Sequence, residues 1–257
     1  MTETALDRAH ATMDDSDAKR LAFFERVADS ELFLLLQSEA EGDQLTPEVF
    51  DLGDAQYVLV FDREDRLSSF AGKIVPYAAL SGRVIAQMLA GQGVGLGINL
   101  DVAPSATLLP ADAVAWLADT LAHAPDEVEA RPIEVSSPAG LPDSLLAALD
   151  AKLATATGLA PMAYLVGVEY EGGAKTHMLA FIDAASGAED ALAKAVSEAL
   201  TFSGIEAGAL DVAFFKASDP MAARLSRVGL RFDLPQPEEP VERSAPGSDP
   251  DAPPILR

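Results

Sequence analysis

Ala163-Tyr-Leu-Val-Gly-Val-Glu-Tyr170 and Thr176-His-Met-Leu-Ala-Phe-Ile-Asp183 are the two stretches of sequence that decide the fold. Each is rich in β-branched and aromatic residues, which is typical of a strand. Gly172-Gly173 lies between them and signals a tight hairpin turn. The pair therefore predicts an antiparallel hairpin near the middle of the second half of the chain.

Helices and outer strands are predicted on both sides of this hairpin. Leucines recur at helical spacing after Pro142, and a second apolar stripe runs through residues 188–202. The remaining predicted elements of this half are strands over Pro132–Val135 and Leu210–Phe215 and a closing helix over Pro220–Val228. The order β-α-β-β-α-β predicts a ferredoxin-like domain.

Neither central strand alternates between apolar and polar residues, so both faces of this sheet are expected to be buried. An uncovered face would expose a larger apolar patch than monomers usually tolerate. We therefore expect the second face to be covered by the other domain or by a second copy of the chain.

The first half alternates helices and strands in a different order. Tyr57–Phe61 is the clearest strand, and Pro110 suits the first turn of a helix with Val114, Leu117 and Leu121 on one face. The other predicted elements are a helix over Ala18–Ala28, a strand over Leu32–Leu36, a turn or short helix over Asp62–Phe70, a helix after Ser81 and a strand over Leu96–Val102.

The fold class is therefore α/β in the broad α+β sense, with two domains in 257 residues. The predicted organisation is a disordered acidic head over residues 1–16, an α/β domain over 17–124, a polar linker over 125–131, a ferredoxin-like domain over 132–234 and a disordered Pro-rich tail over 235–257.

Composition narrows the classes of function. The absence of cysteine excludes disulfides, Cys-ligated metals and thiol nucleophiles. A formal net charge of −23 disfavours nucleic acid and anionic lipid as partners and leaves a basic protein partner open. No secretory signal or membrane-spanning run is evident, so a cytoplasmic protein is expected. No cofactor or metal is predicted.

One group of candidate binding residues is a glycine-rich stretch, Gly91-Gln-Gly93-Val-Gly95-Leu-Gly97, followed by Asn99. Its spacing does not match the dinucleotide-binding fingerprint in either register, and a helix precedes it where a strand is required. The favoured interpretation is a flexible helix-to-strand turn. The alternative is a metabolite site in which backbone amides of Gly93–Gly97 converge with Asn99.

Two charged groups are the other candidates. Asp62-Arg63-Glu64-Asp65 follows the strand predicted over Tyr57–Phe61. Paired carboxylates at such a position could perform acid–base chemistry or hold a hard cation, but a solvated charge turn is the favoured interpretation. The basic residues Lys216, Arg224, Arg227 and Arg231 fall partly on one helical face and would suit an acidic ligand. Pairing with acids of the same domain is favoured for them. No catalytic residue is assigned.

Several segments together give the chain a family resemblance over roughly residues 17–235. They are Phe24-Glu-Arg-Val-Ala-Asp-Ser-Glu-Leu32, Tyr57-Val-Leu-Val-Phe-Asp62, Gly95-Leu-Gly-Ile-Asn99, Leu141-Pro142, Phe202-Ser-Gly-Ile-Glu-Ala-Gly-Ala-Leu-Asp-Val212 and Arg227-Val-Gly-Leu-Arg-Phe-Asp-Leu-Pro235. In these the chain resembles the enhanced-serine-sensitivity (SseB) family in both its N-terminal and C-terminal domains. Many members carry a proline after the residue equivalent to Asn99, where this chain has Leu100.

The resemblance implies a two-domain cytoplasmic α/β protein, and it brings no catalytic residues with it. The leading expectation is a non-catalytic protein that acts by protein–protein binding, through its acidic surface or the covered sheet, in serine or sulfur amino-acid metabolism or its regulation. Its partner would be another protein, a second copy of the chain, or both. The alternatives are a metabolite-binding module, with a site at the glycine stretch or between the domains, and an enzyme using carboxylates near Asp62.

Overall fold

The computed structural model describes residues 3–40, 42, 44–123, 132–204 and 210–237, which form an α+β protein with two mixed sheets. The predicted linker, residues 125–131, and most of the predicted Pro-rich tail, residues 235–257, lie outside the described residues. No described helix combines the length and the apolar character needed to cross a bilayer.

The first sheet is built from residues before the predicted linker. Its helices and strands are α1 (Ala5–Thr12), α2 (Asp17–Asp29), β1 (Glu31–Leu35), β2 (Val49–Leu52), β3 (Ala55–Phe61), α3 (Glu64–Ala71), β4 (Tyr77–Ser81), α4 (Gly82–Leu89), β5 (Val94–Ile98), β6 (Thr107–Leu109) and α5 (Ala111–Ala122). The strand order is β4-β1-β3-β5-β6, and β2 pairs with the first half of β3. Only β3 and β5 run parallel among these pairs, so their carboxyl ends lie side by side.

The second sheet is built from residues after the predicted linker. Its elements are β7 (Pro132–Ser136), α6 (Asp143–Leu153), β8 (Met162–Tyr170), β9 (Lys175–Ile182), α7 (Glu189–Phe202), β10 (Leu210–Phe215), α8 (Pro220–Val228) and β11 (Leu230–Asp233). The predicted hairpin is present as β8 and β9, which pair over eight residues. The sequence did not predict β2, β4, β6 or β11, all of which are edge or short strands.

The strand order of the second sheet is not the ferredoxin-like one that the element order suggested. The order is β10-β9-β8, with β7 and β11 both on the other edge of β8. A split βαβ unit needs another strand between its two parallel strands, whereas β9 and β10 are direct parallel neighbours. The order of elements along the chain does not determine which strands become neighbours.

The second face of this sheet is covered by a helix of the same chain. Leu225 and Ala222 of α8 are buried against Val166, Met178 and Ala180 of β8 and β9. This corrects the expectation that the other domain or a second copy would cover the face. The sequence pattern showed correctly that both faces are buried, but it did not identify what lies on them.

Residues 5–12 form the helix α1, which corrects the expectation of a disordered head. Thr4 and Asp7 make a reciprocal capping box that satisfies backbone amides at the start of the helix. Leu6 is 1% exposed and packs in the first core with Ala9 and Met13 at its margin. Most residues of segment 1–16 are polar or charged, which explains why composition alone suggested disorder.

Helices α2, α4 and α5 pack on one face of the first sheet, and α3 packs on the other. Phe202, at the end of α7, is buried in this first core, so the two halves of the chain pack against each other. The contact brings α6 and α7 next to α2, which has consequences for the charged residues described below.

Candidate functional site

The glycine-rich stretch is mostly strand. Gly95 and Gly97 lie inside β5, where they are buried, and only Gly91 and Gly93 adopt positive φ in the preceding turn. A Cβ on Gly95 would lie 2.5 Å from Cε1 of Tyr57 and 2.6 Å from the carbonyl oxygen of Leu109. Glycine is therefore required for close strand packing at Gly95, and only the first part of the stretch, before β5, forms the predicted turn.

Asn99 and Asp62 follow the carboxyl ends of β5 and β3, and the structure brings them into one buried polar network. Asn99 Oδ1 accepts from the backbone N–H of Asp62 at 3.1 Å, and its Nδ2 donates to Ser105 Oγ at 2.9 Å. Asp62 accepts from Arg66 at 2.8 Å and from Thr4 Oγ1 at 2.6 Å. Every polar atom of these two side chains therefore has a hydrogen-bond partner within the protein.

Asp7 of α1 completes this network from a distant part of the sequence. Its carboxylate accepts from both terminal nitrogens of Arg66, at 3.0 and 2.5 Å, and from Ser105 Oγ at 2.5 Å. Burial opposes the charge on Asp7, but the hydrogen bonds from Arg66 and Ser105 outweigh it and hold the pKa well below its usual range. The network fastens α1 over the ends of the two parallel strands.

The carboxylates after Asp62 are ordinary surface groups. Asp65 forms a bidentate pair with Arg63 at 2.8 and 2.9 Å, and Glu64 accepts from the Tyr77 hydroxyl at 3.0 Å. No set of three or more His, Cys, Asp or Glu side chains within the described ranges is arranged to hold a metal ion.

The predicted basic group is divided between elements. Helix α8 ends before Gly229, so Arg231 lies in β11 rather than on the same helical face as Arg224 and Arg227. Arg224 donates to the carbonyl oxygen of Ile133 at 2.8 Å, and Arg231 pairs with Asp233. The favoured interpretation, pairing within the domain, describes Arg231.

A cluster of five charged residues lies where the two halves of the chain meet, and it was not predicted. It consists of Glu25 and Asp29 of α2, Arg83 of α4, Lys152 of α6 and Glu198 of α7, and we call it the interhelical charge cluster. Lys152 Nζ lies 2.7 Å from Asp29, 2.9 Å from Glu198 and 3.3 Å from Glu25. Arg83 donates to Asp29 at 2.5 Å and to Glu198 at 3.0 Å.

The cluster places two cations among three carboxylates at a largely buried position. Burial disfavours the charge on Lys152, but Asp29 and Glu198 outweigh this effect and raise its pKa. Burial alone would raise the pKa of Asp29 and of Glu198, but contacts with Arg83 and Lys152 outweigh it and lower both pKa values. Glu25, which has the weakest contact, has its pKa raised by burial. The cluster is therefore held together by charge pairing across the two halves.

An open apolar groove of about 490 Å³ lies between α2 and α5, and it too was missed. Its lining residues are Asp17, Arg20, Leu21, Phe24, Pro110, Asp112, Ala113 and Trp116. Trp116 is 40% exposed and meets Phe24 edge to face at 5.2 Å. A signal existed in the sequence, because Trp116 is the one tryptophan of the chain and lies outside the Val114, Leu117 and Leu121 stripe.

The groove also lies close to the junction between the two halves. Behind Trp116, the buried ring of Phe202 from α7 stands edge to face at 6.3 Å. The ring of Trp116 is therefore held between two aromatic side chains while much of it faces solvent. A rigid, partly exposed aromatic surface of this kind is typical of protein contact sites.

Comparison with known proteins adds one finding. Residues 3–116 match a family model described as the SseB protein N-terminal domain. No curated protein and no solved structure gives a significant match. The matched residues contain the polar network around Asp7 and all residues that line the groove, whereas the second sheet lies outside the match.

Proposed function

Because residues 3–116 form an SseB N-terminal domain, the chain belongs to the SseB family, and we propose that it acts by binding another protein rather than by catalysing a reaction. The observation that carries this proposal is the groove between α2 and α5, with Trp116 exposed at its wall. Tryptophan is enriched among the residues that dominate binding energy at protein interfaces.

The hydrogen bonding of the other candidate residues also supports binding at the groove. Asp62 and Asn99 lie at the strand ends where α/β proteins often bind ligands, and each polar atom of both side chains already hydrogen-bonds within the chain. The groove, in contrast, offers apolar surface and an indole N–H that has no hydrogen-bond partner among the described residues. A partner gains contacts there without displacing internal ones.

A metabolite is the second candidate occupant, since the volume of the groove falls within the range of about 300–1,000 Å³ for small-molecule sites. Such sites bury most of their ligand and direct several polar groups at it. The groove is open, and its polar residues lie at the rim. A segment of a protein that extends beyond the groove fits this shape better than an enclosed metabolite.

Self-association was expected from the sequence because both faces of the second sheet are apolar. Helix α8 covers the face that prompted this expectation, so the groove is now the stronger argument for a partner. The proposed place of that partner in serine or sulfur amino-acid metabolism, or its regulation, comes from the family resemblance.

Site-specific photocrosslinking in cells of the source organism tests the proposal. A photoreactive phenylalanine analogue replaces Ala113, which lines the groove, and in a matched control it replaces Ile133, which is 53% exposed in β7. We expect a defined crosslinked protein from position 113 that is absent from position 133. Equal labelling at both positions, or none at position 113, contradicts the proposal.

A further inference from the structure

We propose that the groove binds a partner segment in which an apolar side chain lies next to lysine or arginine. This inference rests on the proposed function and names the chemistry of the partner. It follows from the residues that flank Trp116 on α5, from the charge balance of the rim, and from the apolar floor of the groove.

Trp116 is flanked by two carboxylates on the exposed side of α5. Asp112 and Asp119 lie four residues before and three residues after it, so all three side chains share one side of the helix. Both aspartates are exposed, and Trp116 is 40% exposed. An indole ring attracts cations, and a cation that packs on its exposed part is also attracted by the two carboxylates beside it. The strip Asp112–Trp116–Asp119 is therefore suited to lysine or arginine.

The charge balance of the rim points the same way. Arg20, on the opposite wall, is already paired with Asp17 at 3.1 Å. Within the described part of the chain, neither Asp112 nor Asp119 forms an ion pair, and Asp112 only accepts from the backbone N–H of Ala113 at 2.8 Å. Two carboxylates thus remain without a cation, in a chain whose net charge is −23. A basic segment is attracted both at long range and at the rim.

The floor of the groove sets the second requirement. Leu21, Phe24, Pro110 and Ala113 line it, and Phe24 is fixed against Trp116. A charged side chain alone would leave this surface in contact with water, whereas an apolar side chain removes it from water, which is favourable. The groove therefore favours a segment that presents an apolar side chain to the floor and a cation to the strip.

Selection from a random peptide library displayed on phage, followed by measurement with the full chain, tests the inference. We expect selected peptides to combine an apolar side chain with lysine or arginine. Synthetic peptides without tryptophan are then titrated against the protein, and the emission of Trp116, the one tryptophan, reports binding in the groove directly. Binding should weaken as salt rises, because exposed charges are screened.

Variants identify the contact by anisotropy of a fluorescein-labelled selected peptide. Trp116→Ala should lower affinity at least about tenfold, as expected for a central aromatic contact. Ala113→Arg places a cation in the groove without changing the buried core, and it should abolish binding. This second variant keeps the test valid if Trp116→Ala folds poorly. Asp112→Asn combined with Asp119→Asn should weaken binding mainly through slower association. The control Ile133→Ala should bind like the wild type.

Several outcomes overturn the inference. They are a selection that yields no binder above background, selected peptides without basic residues, and equal affinity for the Ala113→Arg variant. A doubling of molar mass that coincides with a shift in Trp116 emission, without peptide, assigns the groove to a second copy instead. If photocrosslinking at position 113 still finds a partner in any of these cases, the proposed function stands and only the chemistry of the partner is wrong.

Discussion

Replacing Lys152 by methionine removes the central cation of the interhelical charge cluster and keeps an unbranched side chain of similar reach. Lys152 is 6% exposed and contacts carboxylates of Glu25, Asp29 and Glu198. In the variant, Arg83 is left to balance three partly buried carboxylates. The variant should therefore have a lower free energy of unfolding, because these buried carboxylates lose a positively charged partner.

Removing one partner of a buried ion pair typically destabilises a protein by about 3–5 kcal/mol. For a chain of this size, about 2–4 °C of melting temperature is lost per kcal/mol, so a decrease of about 6–20 °C is expected. Lys175→Met is the matched control, because Lys175 forms an exposed pair with Glu169, and exposed pairs contribute little to stability. Urea titrations followed by far-ultraviolet circular dichroism measure both free energies of unfolding.

The pH dependence distinguishes lost charge pairing from lost packing. In the wild type, Asp29 and Glu198 have lowered pKa values, so their contribution is present above the pKa of the unfolded carboxyls and is lost as pH falls through the folded values. Lys152 has a raised pKa, so its contribution is lost only at strongly alkaline pH. Without Lys152 the carboxylates bind protons more readily in the folded state. The deficit of the variant should therefore shrink as pH falls from about 7 towards the range in which carboxyl groups bind protons.

Two results would refute this reasoning. One is a Lys152→Met variant within about 1 kcal/mol of the wild type at pH 7, which would mean that the cluster contributes no more than a surface pair. The other is a large deficit that stays constant as pH falls, which would assign the effect to packing of the side chain rather than to its charge.

Three further predictions concern single positions. Gly95→Ala should destabilise the protein by about 1–3 kcal/mol in thermal denaturation, because the new Cβ in β5 would clash with the ring of Tyr57 in β3. An unchanged melting temperature would contradict this packing argument. Asp7→Asn should cost about 3–5 kcal/mol at pH 7, since Arg66 loses one of its two buried carboxylate partners and keeps only Asp62. This difference in the free energy of unfolding should persist down to about pH 4 and shrink at lower pH, because the pKa of Asp7 is lowered in the folded protein. A difference that stays the same in acid would contradict the assigned role of the Asp7 charge. Leu225→Ala should cost about 2–5 kcal/mol and promote self-association in size-exclusion chromatography, because α8 then covers its sheet less well; a monomer of unchanged stability would be the opposing result.

The hairpin and the long helices were predictable because their signals are local. Strand composition and Gly172-Gly173 define β8 and β9 within about twenty residues, and apolar spacing defines α5 and α7. Residues quoted for the family resemblance likewise include β3 and β5, which lie inside the matched N-terminal domain. Helix α1 was missed because Leu6 is its one buried apolar residue and the segment around it is mostly polar.

The candidate site was less predictable, since it depends on faces that meet only after folding. Trp116 could have been singled out as an apolar residue off the core stripe of α5, but nothing local places Leu21 and Phe24 opposite it. The glycine stretch drew attention by composition, although its glycines serve the packing of β5 against β3 and β6.

The sequence by itself determined the type of most elements, the burial of both faces of the second sheet and the family of the first half. The tertiary structure alone decided the strand order, the cover supplied by α8, and the pairing of Lys152 with Asp29, which lies 123 residues away. Local periodicity and turn chemistry act over a few residues, so they can be recognised in the sequence alone. Strand neighbours, buried charge pairs and open grooves depend on which surfaces meet after folding, and many arrangements of the same elements satisfy the local rules equally well.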